Sequence, residues 1–534
     1  MVAIPESPAT KYSGRTFFLG ILFLLLAGAA ARVPLVLSGG RFFIADEGRY
    51  LHGMRLYHAV MHGEWAVARG ALQHADNFGF IFASALCTAG QHLLAFVSGQ
   101  SEWVPSWQSL QHTLYLGGIL LALAPLVGGW FLYRLAQRFG ASDGEAFCAA
   151  LILSLSNTAF YFSRHLFPYD LSLAMALGAA MVAAGPGGTG RSLTAGLIGG
   201  AAFHVYNGYW YVLPLIAAAR LADVGSSPRE RISGVVFTLV GEFLGVALPY
   251  AWGSWMFGPD FFRSATIYAR SVVQGLYREG WSFPAEYFWA SEGIFGLLVV
   301  ALPLAAGVRS KETIPPRVRA LSAGIAGVYL LWVVVSVVAH VFVINARMTK
   351  PLVPLIALVG GWGLSWCWQA NRRVGVAAVA AIVAASLINL LPNYVLVFPR
   401  EFEAAAIGRV GHPKRAASVS GTFFAGSPVT VTAPDYLLLN AHYLFPVRGA
   451  LSIPEGEIVF SAEHPLAHRP YQFDGFTPRQ RELLRTADIR MKLIRLAKPS
   501  EVPDLPDPAL RATNDDWPDG FDSEARAANT PVRR

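Results

Sequence analysis

The chain is a succession of apolar segments of roughly 20 residues, the length a helix needs to cross the hydrocarbon core of a bilayer, joined by loops in which Lys and Arg recur. A backbone in that core has no water to bond, so each segment must satisfy its own peptide groups. A polytopic α-helical membrane protein follows. Of the 534 residues, 54% are hydrophobic and 14% charged, and mean hydropathy is +0.43, far from the balance of a soluble domain. The first segment, Thr16 to Leu37, has no cleavable-signal ending, which predicts a retained helix. The net charge of +8 is spread through short loops, as the positive-inside rule places it, and forms no nucleic-acid-binding face. Cys87, Cys148 and Cys367 lie far apart in apolar surroundings, with neither a disulfide framework nor a zinc-ligand spacing.

Lys11 and Arg15 precede the first helix, so the N-terminus is expected in the cytoplasm and residue 38 onward outside. Phe78 to Val97 carries Gln91-His92; reading it as a helix lying at the interface keeps Arg134 and Arg138 inside, whereas reading it as a span puts them outside. The interfacial reading is preferred. Later segments are expected at 110–132, 145–162, 171–184, 193–219 as a pair broken at Tyr206 to Trp210, 232–248 ending at Pro249, 294–308, 321–344, 352–368 and 374–397. That makes about eleven spanning helices, with Tyr250 to Ser291 as an aromatic outer loop. Residues 1–399 form the membrane region. Residues 400–500 are expected to form a small extracytoplasmic α/β domain, with strands at Val429 to Thr432, Tyr436 to Leu439 and Met491 to Ile494 and a helix at Pro478 to Thr486; residues 501–534 form a flexible tail.

With this topology the polar residues gather on one side. Asp46 and Glu47 follow the first helix; Arg164, His165 and Asp170 fall in the second outer loop; His204, Tyr206 and Asn207 end another helix; Arg263 and Arg270 lie in the aromatic loop; Arg347 and Lys350 lie at a later exit. Carboxylates suit proton transfer and cations suit an anionic headgroup, so the pattern is that of a cavity at the outer interface. Each group also has a plainer use. Arg347 and Lys350 suit snorkelling anchors, and Arg263, Arg270 and Arg278 suit contacts with lipid headgroups. Tyr206, Tyr209, Trp210 and Tyr211 suit an aromatic belt more than a sugar platform, and His52, His58, His62 and His74, of which only His58 and His62 have helical i,i+4 spacing, suit ordinary hydrogen bonding more than metal binding. Hard cations such as Mg²⁺ or Mn²⁺ take oxygen ligands, but the outer acids are few and none forms a tight Asp-x-Asp, so no metal or other cofactor is assigned. Glu242 stands apart, because it falls near the middle of an outward-going helix, where a charge must be neutralised, paired or given a polar cavity.

Ala45-Asp46-Glu47-Gly48-Arg49-Tyr50, together with Arg164 and Asp170 in the second outer loop, resembles the GT-C superfamily of membrane glycosyltransferases over about residues 15–400. The likeness is to the branch of lipid A aminoarabinose transferase, protein O-mannosyltransferases and rhizobial lipopolysaccharide-core transferases. The resemblance implies transfer of a sugar from a polyprenyl-phosphate carrier to an extracytoplasmic hydroxyl on a lipid, glycan or protein, at the bacterial inner membrane with the site facing the periplasm. Asp46 matches the general base of the family and Asp170 its second outer-loop acid, with Glu47 beside them. The family's Lys-Pro-Pro element has no counterpart, since the corresponding stretch reads Gln73-His74-Ala75-Asp76-Asn77. His74, Arg263, Arg270 or Lys350 is then left to meet the phosphate. The alternative function is a flippase or transporter of a lipid-linked sugar. Such a protein commonly has repeated halves and polar midplane groups, whereas here only Glu242 and His204 lie deep and no repeat is evident.

Overall fold

The structure, a computed structural model, describes residues 14–37, 48–72, 78–98, 115–222, 226–258, 261, 281–309, 314–339, 346–395, 416–420, 436–441, 456–465 and 488–497. Among these, eight helices are long and apolar enough to cross a membrane. They are α1 (Gly14–Leu37), α4 (Phe78–Val97), α5 (Tyr115–Arg138), α11 (Pro228–Phe257), α12 (Phe283–Arg309), α13 (Pro316–Val333), α15 (Leu352–Ala370) and α16 (Arg372–Leu390). Between α1 and α4 lie α2 (Gly48–Met61) and α3 (Trp65–Leu72). A ninth candidate span is bent by 65° between α6 (Asp143–Leu155) and the short α7 (Asn157–Phe160). Shorter helices α8 (Tyr169–Ala183), α9 (Thr189–Val205), α10 (Leu213–Ala219), α14 (Ala346–Thr349) and α17 (Pro392–Val395) complete the described helical part. Several segments counted among the expected eleven are therefore helices too short to cross alone.

Local signals explain several boundaries. Ser142 and Glu145 form a capping box at the start of α6, and Ser227 and Glu230 do the same for α11. Pro316 opens α13, where its missing N–H is harmless, so this helix begins earlier than Leu321. Two expected ends move for tertiary reasons. Helix α11 runs through Pro249 to Phe257, and its continuation packs Trp252 on Phe78, with ring centroids 5.5 Å apart. Helix α12 begins at Phe283, before the expected Ile294, because the chain kinks at Gly293, where φ is +51°. That backbone conformation favours glycine. Both shifts shorten the expected outer loop.

The bundle closes on a core in which α15 packs against α6, with α12 and α13 alongside. Its tightest helix pair is α9 with α11. A Cβ built on Gly200 would lie 2.5 Å from the backbone carbonyl carbon of Gly245, and one on Gly196 would lie 2.1 Å from the carbonyl oxygen of Thr238. Small residues four apart on both helices let the backbones touch, the packing that works where the hydrophobic effect does not separate helix from lipid.

Helix α4 has the length and hydropathy of a span, and it packs against α2, α9 and α5. Gly79 lies against His204 in the last turn of α9, and Gly90 lies against Leu116 in the first turn of α5. Gln91 does not break the helix, since its side-chain oxygen accepts from the Leu116 N–H at 3.0 Å. His92 Nδ1 meets the Tyr57 hydroxyl at 2.6 Å.

The C-terminal region contributes a four-stranded sheet, β1 (Ala416–Ser420), β2 (Tyr436–Ala441), β3 (Gly456–Pro465) and β4 (Asp488–Leu496), in the order β1-β2-β4-β3. β1 and β2 are parallel, and the other two pairings are antiparallel. β2 and β4 contain the segments expected to be strands. β1 and β3 were not expected. Val429 to Thr432 and the expected helix at Pro478 to Thr486 lie outside the described residues.

Candidate functional site at the α7–α8 and α14 end of the bundle

The site is built where α6 stops. Ser156 takes extended backbone angles (φ −69°, ψ 138°), and its hydroxyl accepts from the Ala159 N–H to start α7. That break leaves peptide N–H groups facing the interior. Glu292 of α12 answers them: its two carboxylate oxygens accept from the Asn157 N–H at 2.9 Å and the Thr158 N–H at 2.8 Å. Asn157 Nδ2 donates to the Ser291 carbonyl at 3.0 Å, and Asn393 Nδ2 donates to Asn157 Oδ1 at 3.0 Å. Arg32, buried in α1, reaches the same turn, donating to the carbonyls of Ser154 (3.4 Å) and Ala159 (3.3 Å) and lying over the Phe160 ring at 4.9 Å. The break in the helix is thus held by one acid and one base that belong to other helices.

Asp170 lies in the first turn of α8, and Lys350 follows α14. Their side chains meet at 2.6 Å, with 1% of the lysine side chain and 7% of the aspartate side chain exposed. Lys350 Nζ also donates to the Thr158 carbonyl at 2.8 Å and lies 4.6 Å from the Phe162 ring centroid. Burial pulls the Lys350 ammonium below its ordinary value, while the Asp170 carboxylate pushes it back up. Beside the pair is a cavity of about 10 Å³, lined by Pro125, Thr158, Asp170 and Lys350 among others, the size of one water. Lys350 and Asp170 therefore face each other inside the protein and do not face an open groove. Lys350 was expected to meet a headgroup; its three partners bind it to α7 and α8 instead.

Arg347, one turn earlier, is differently placed. It is half-buried on α14, its Nη1 donates to the Tyr169 hydroxyl at 3.0 Å, and its Cζ lies 5.7 Å from that ring's centroid. The backbone carrying it is tied down from the Tyr206–Tyr211 turn. Tyr209 donates to the Arg347 carbonyl at 3.2 Å and Tyr211 donates to the Met348 carbonyl. Burial, with neighbouring tyrosines adding to it, holds both phenols well above their usual range, so they remain donors at neutral pH. Tyr206 packs edge-on against Tyr169 and Tyr209, with centroids 4.7 and 4.8 Å away. The aromatic turn read as an interfacial belt is here the clamp on α14.

His165 is buried between the rings of Tyr161 and Phe167. Asn207 opens the 3₁₀ turn that carries Tyr209 and Tyr211. Tyr50 of α2 is buried in a cluster with Phe80, Leu166 and Val205, which ties the segment after the acidic motif to this end of the bundle. Asp46, Glu47, His74, Arg263 and Arg270 lie outside the described residues, and of Arg164 only the backbone, in a 3₁₀ turn, is described. His58 and His62 stack with centroids 6.3 Å apart. Among the described residues no group of three metal-ligating side chains occurs.

Sequence reading missed Arg32 and Glu292. Arg32 had a signal, a lone cation inside an apolar segment. Glu292 had none, because it falls between the expected loop, which ends at Ser291, and the expected span from Ile294. Glu242, singled out by its depth, has a buried Oε1 with no hydrogen-bond partner among the described residues.

No protein-family model matches the chain, and neither does any curated protein sequence. Among solved structures, the chain is similar to ArnT from Cupriavidus metallidurans bound to undecaprenyl phosphate, at 13% identity over 72% of each chain, with a TM-score of 0.44. It is also similar to the Archaeoglobus fulgidus oligosaccharyltransferase in complex with zinc and sulfate, at 10% identity over 73% of this chain, with a TM-score of 0.41. A third similar structure is the archaeal oligosaccharyltransferase AglB from Archaeoglobus fulgidus with an inhibitory peptide and a dolichol-phosphate, at 11% identity over 74% of this chain, with a TM-score of 0.39. The matches span 56% and 58% of the length of those two archaeal chains. ArnT and AglB are both members of the GT-C superfamily.

Proposed function

We propose that the protein transfers a sugar from a polyprenyl-phosphate-linked donor to an extracytoplasmic hydroxyl of a lipid, glycan or protein, with Asp46 as general base and Arg347 toward the donor phosphate. The observation that carries the reading is how Arg347 is held. A guanidinium at the end of a membrane bundle is ordinarily a snorkelling side chain on a flexible stem. Here its backbone carbonyl is gripped by Tyr209, its neighbour's by Tyr211, its Nη1 by Tyr169, and the following Lys350 by Asp170 and Thr158. Such multiple fastening suits a cation that must meet a charge at a fixed place.

The chemistry needs two groups. As the acceptor oxygen bonds to the anomeric carbon, a base must take the hydroxyl proton, and the bond from that carbon to the phosphate oxygen breaks, leaving negative charge on the carrier. Arg347 stabilises that charge through two parallel donors where a lysine offers a point charge. Tyr50, four residues after Asp46, packs with Leu166 and Val205 at the end of the bundle that holds Arg347, which supports Asp46 as the base. Asp170, paired inside the protein, serves this reading as the anchor of Lys350. The flanking membrane is read as the bacterial inner membrane, with this end toward the periplasm and the sheet of residues 400–500 on the same side.

The test is transfer in detergent, where no membrane barrier exists and transport leaves no trace. The purified protein with polyprenyl-phosphate sugars and an envelope extract should label an acceptor, and Asp46→Asn should abolish labelling while the folded yield stays at the wild-type level. Wild-type turnover by that variant would remove Asp46 from the mechanism. Mass spectrometry of envelope glycans from a deletion strain would name the sugar and acceptor together.

A further inference from the structure

We infer that the opposite end of the bundle carries a second, non-catalytic site for an anionic phospholipid, in which one acyl chain lies in a groove between α12, α13 and α15 and Arg319 meets the phosphate. The groove has a volume of about 610 Å³. Its walls come from Val300, Leu304 and Val308 of α12, Ile325 of α13, and Ile356 and Trp362 of α15. Glu292, Lys350 and the fastened Arg347 are at the other end of these helices, so the groove lies apart from the proposed transfer site.

Two observations commit the groove to a lipid with a negative head. The first is shape and chemistry: the lining is almost wholly aliphatic, and Leu304 and Val308 are 65% and 87% exposed, facing the hydrocarbon around the bundle. The second is charge. Two arginines open α13, and they are used differently. Arg317 Nη2 donates to both oxygens of Glu145 at 2.9 Å. Arg319 lines the groove and is exposed, and among the described residues its guanidinium makes no hydrogen bond or ion pair. Glu145 is thus taken by Arg317, and among the described residues no acid is paired with the Arg319 guanidinium, which leaves that cation open to a ligand. Ser322, one turn further on the groove wall, adds a hydroxyl beneath the head. A guanidinium suits a phosphate ester through paired donors, and cationic residues at a membrane surface favour anionic lipid.

Native mass spectrometry of the delipidated full chain tests this with two probes of equal acyl composition, dioleoyl phosphatidylglycerol and dioleoyl phosphatidylcholine. The wild type should retain the glycerol lipid about fivefold better than the choline lipid, the scale of one basic residue near a surface. Arg319→Ala, at an exposed position, should erase the preference and keep residual binding of both. Gly307→Leu should weaken both, since a side chain at that position projects toward Ile314, its Cβ 3.4 Å from the isoleucine terminal methyl, and occupies the groove. Equal retention of the two lipids by wild type, or an unchanged preference in Arg319→Ala, would overturn the inference. So would undecaprenyl phosphate displacing phosphatidylglycerol in an Arg319-dependent way, because the groove would then belong to the donor.

Discussion

Lys350 and Asp170 meet at 2.6 Å in the interior, each supplied by the first residues beside a different helix. Replacing one partner leaves the other charged and buried, which typically costs about 3–5 kcal/mol, whereas replacing both with apolar groups of similar size is often neutral or better. Lys350→Met and Asp170→Leu should each lower the thermal unfolding midpoint in detergent sharply, and the double variant should recover most of the loss. Additive losses in the double variant would show that the two residues act independently.

Glu292 makes a separate prediction, because its two oxygens each accept a peptide N–H at the break between α6 and α7. Glu292→Ala strands both donors, at roughly 1–3 kcal/mol for each unsatisfied group. Glu292→Gln keeps one acceptor oxygen and should fall between alanine and wild type in thermal stability. If glutamine and alanine behave alike, the carboxylate is not the cap.

The α9–α11 seam gives a contrast within one residue type. Gly200→Leu places a side chain where Gly245 already stands, so folded yield by size-exclusion chromatography should collapse. Gly324→Ala in α13 meets nothing within 4 Å, and by restricting the unfolded chain it should raise stability by about 0.4–1 kcal/mol. Equal yields from the two variants would mean that the seam does not govern assembly.

What could be read in the sequence follows the range of the interaction involved. Hydropathy is local, so the positions of the helices were legible, along with the polar breaks at Ser163 to Asp170 and at Tyr206 to Trp210. Cap chemistry is local too, yet the capping boxes at Ser142 and Ser227 went unread, and the helices they open begin before the expected Glu145 and Ile232. The ends of α11 and α12 were hidden because tertiary packing carries one helix through Pro249 and a positive-φ glycine bends the other. Asp170 and Lys350 were legible as site candidates, but not as partners, since nothing short-range connects them. Glu292 was invisible for the same reason. Its role depends on a break in α6 that lies in a different part of the chain.

Arg347 carries the functional prediction, and its surroundings separate binding from stability. Its backbone is held by Tyr209 and Tyr211, so Arg347→Ala should lose chiefly the side-chain bond to the Tyr169 hydroxyl, about 0.5–1.5 kcal/mol of unfolding free energy. Loss of a charge-assisted contact to a phosphate is worth about 1.5–3 kcal/mol, so kcat/KM for the polyprenyl-phosphate sugar should drop by roughly 10- to 150-fold. Arg347→Lys should restore part of that loss, since a point charge replaces paired donors. Tyr169→Phe, which removes the hydroxyl that steers Nη1, should show a smaller loss with the positive charge intact. Steady-state kinetics with the donor varied and the acceptor saturating would resolve the series. A common, unchanged kcat/KM across all three variants would exclude Arg347 from contact with the donor and return the phosphate site to the cations of the aromatic loop.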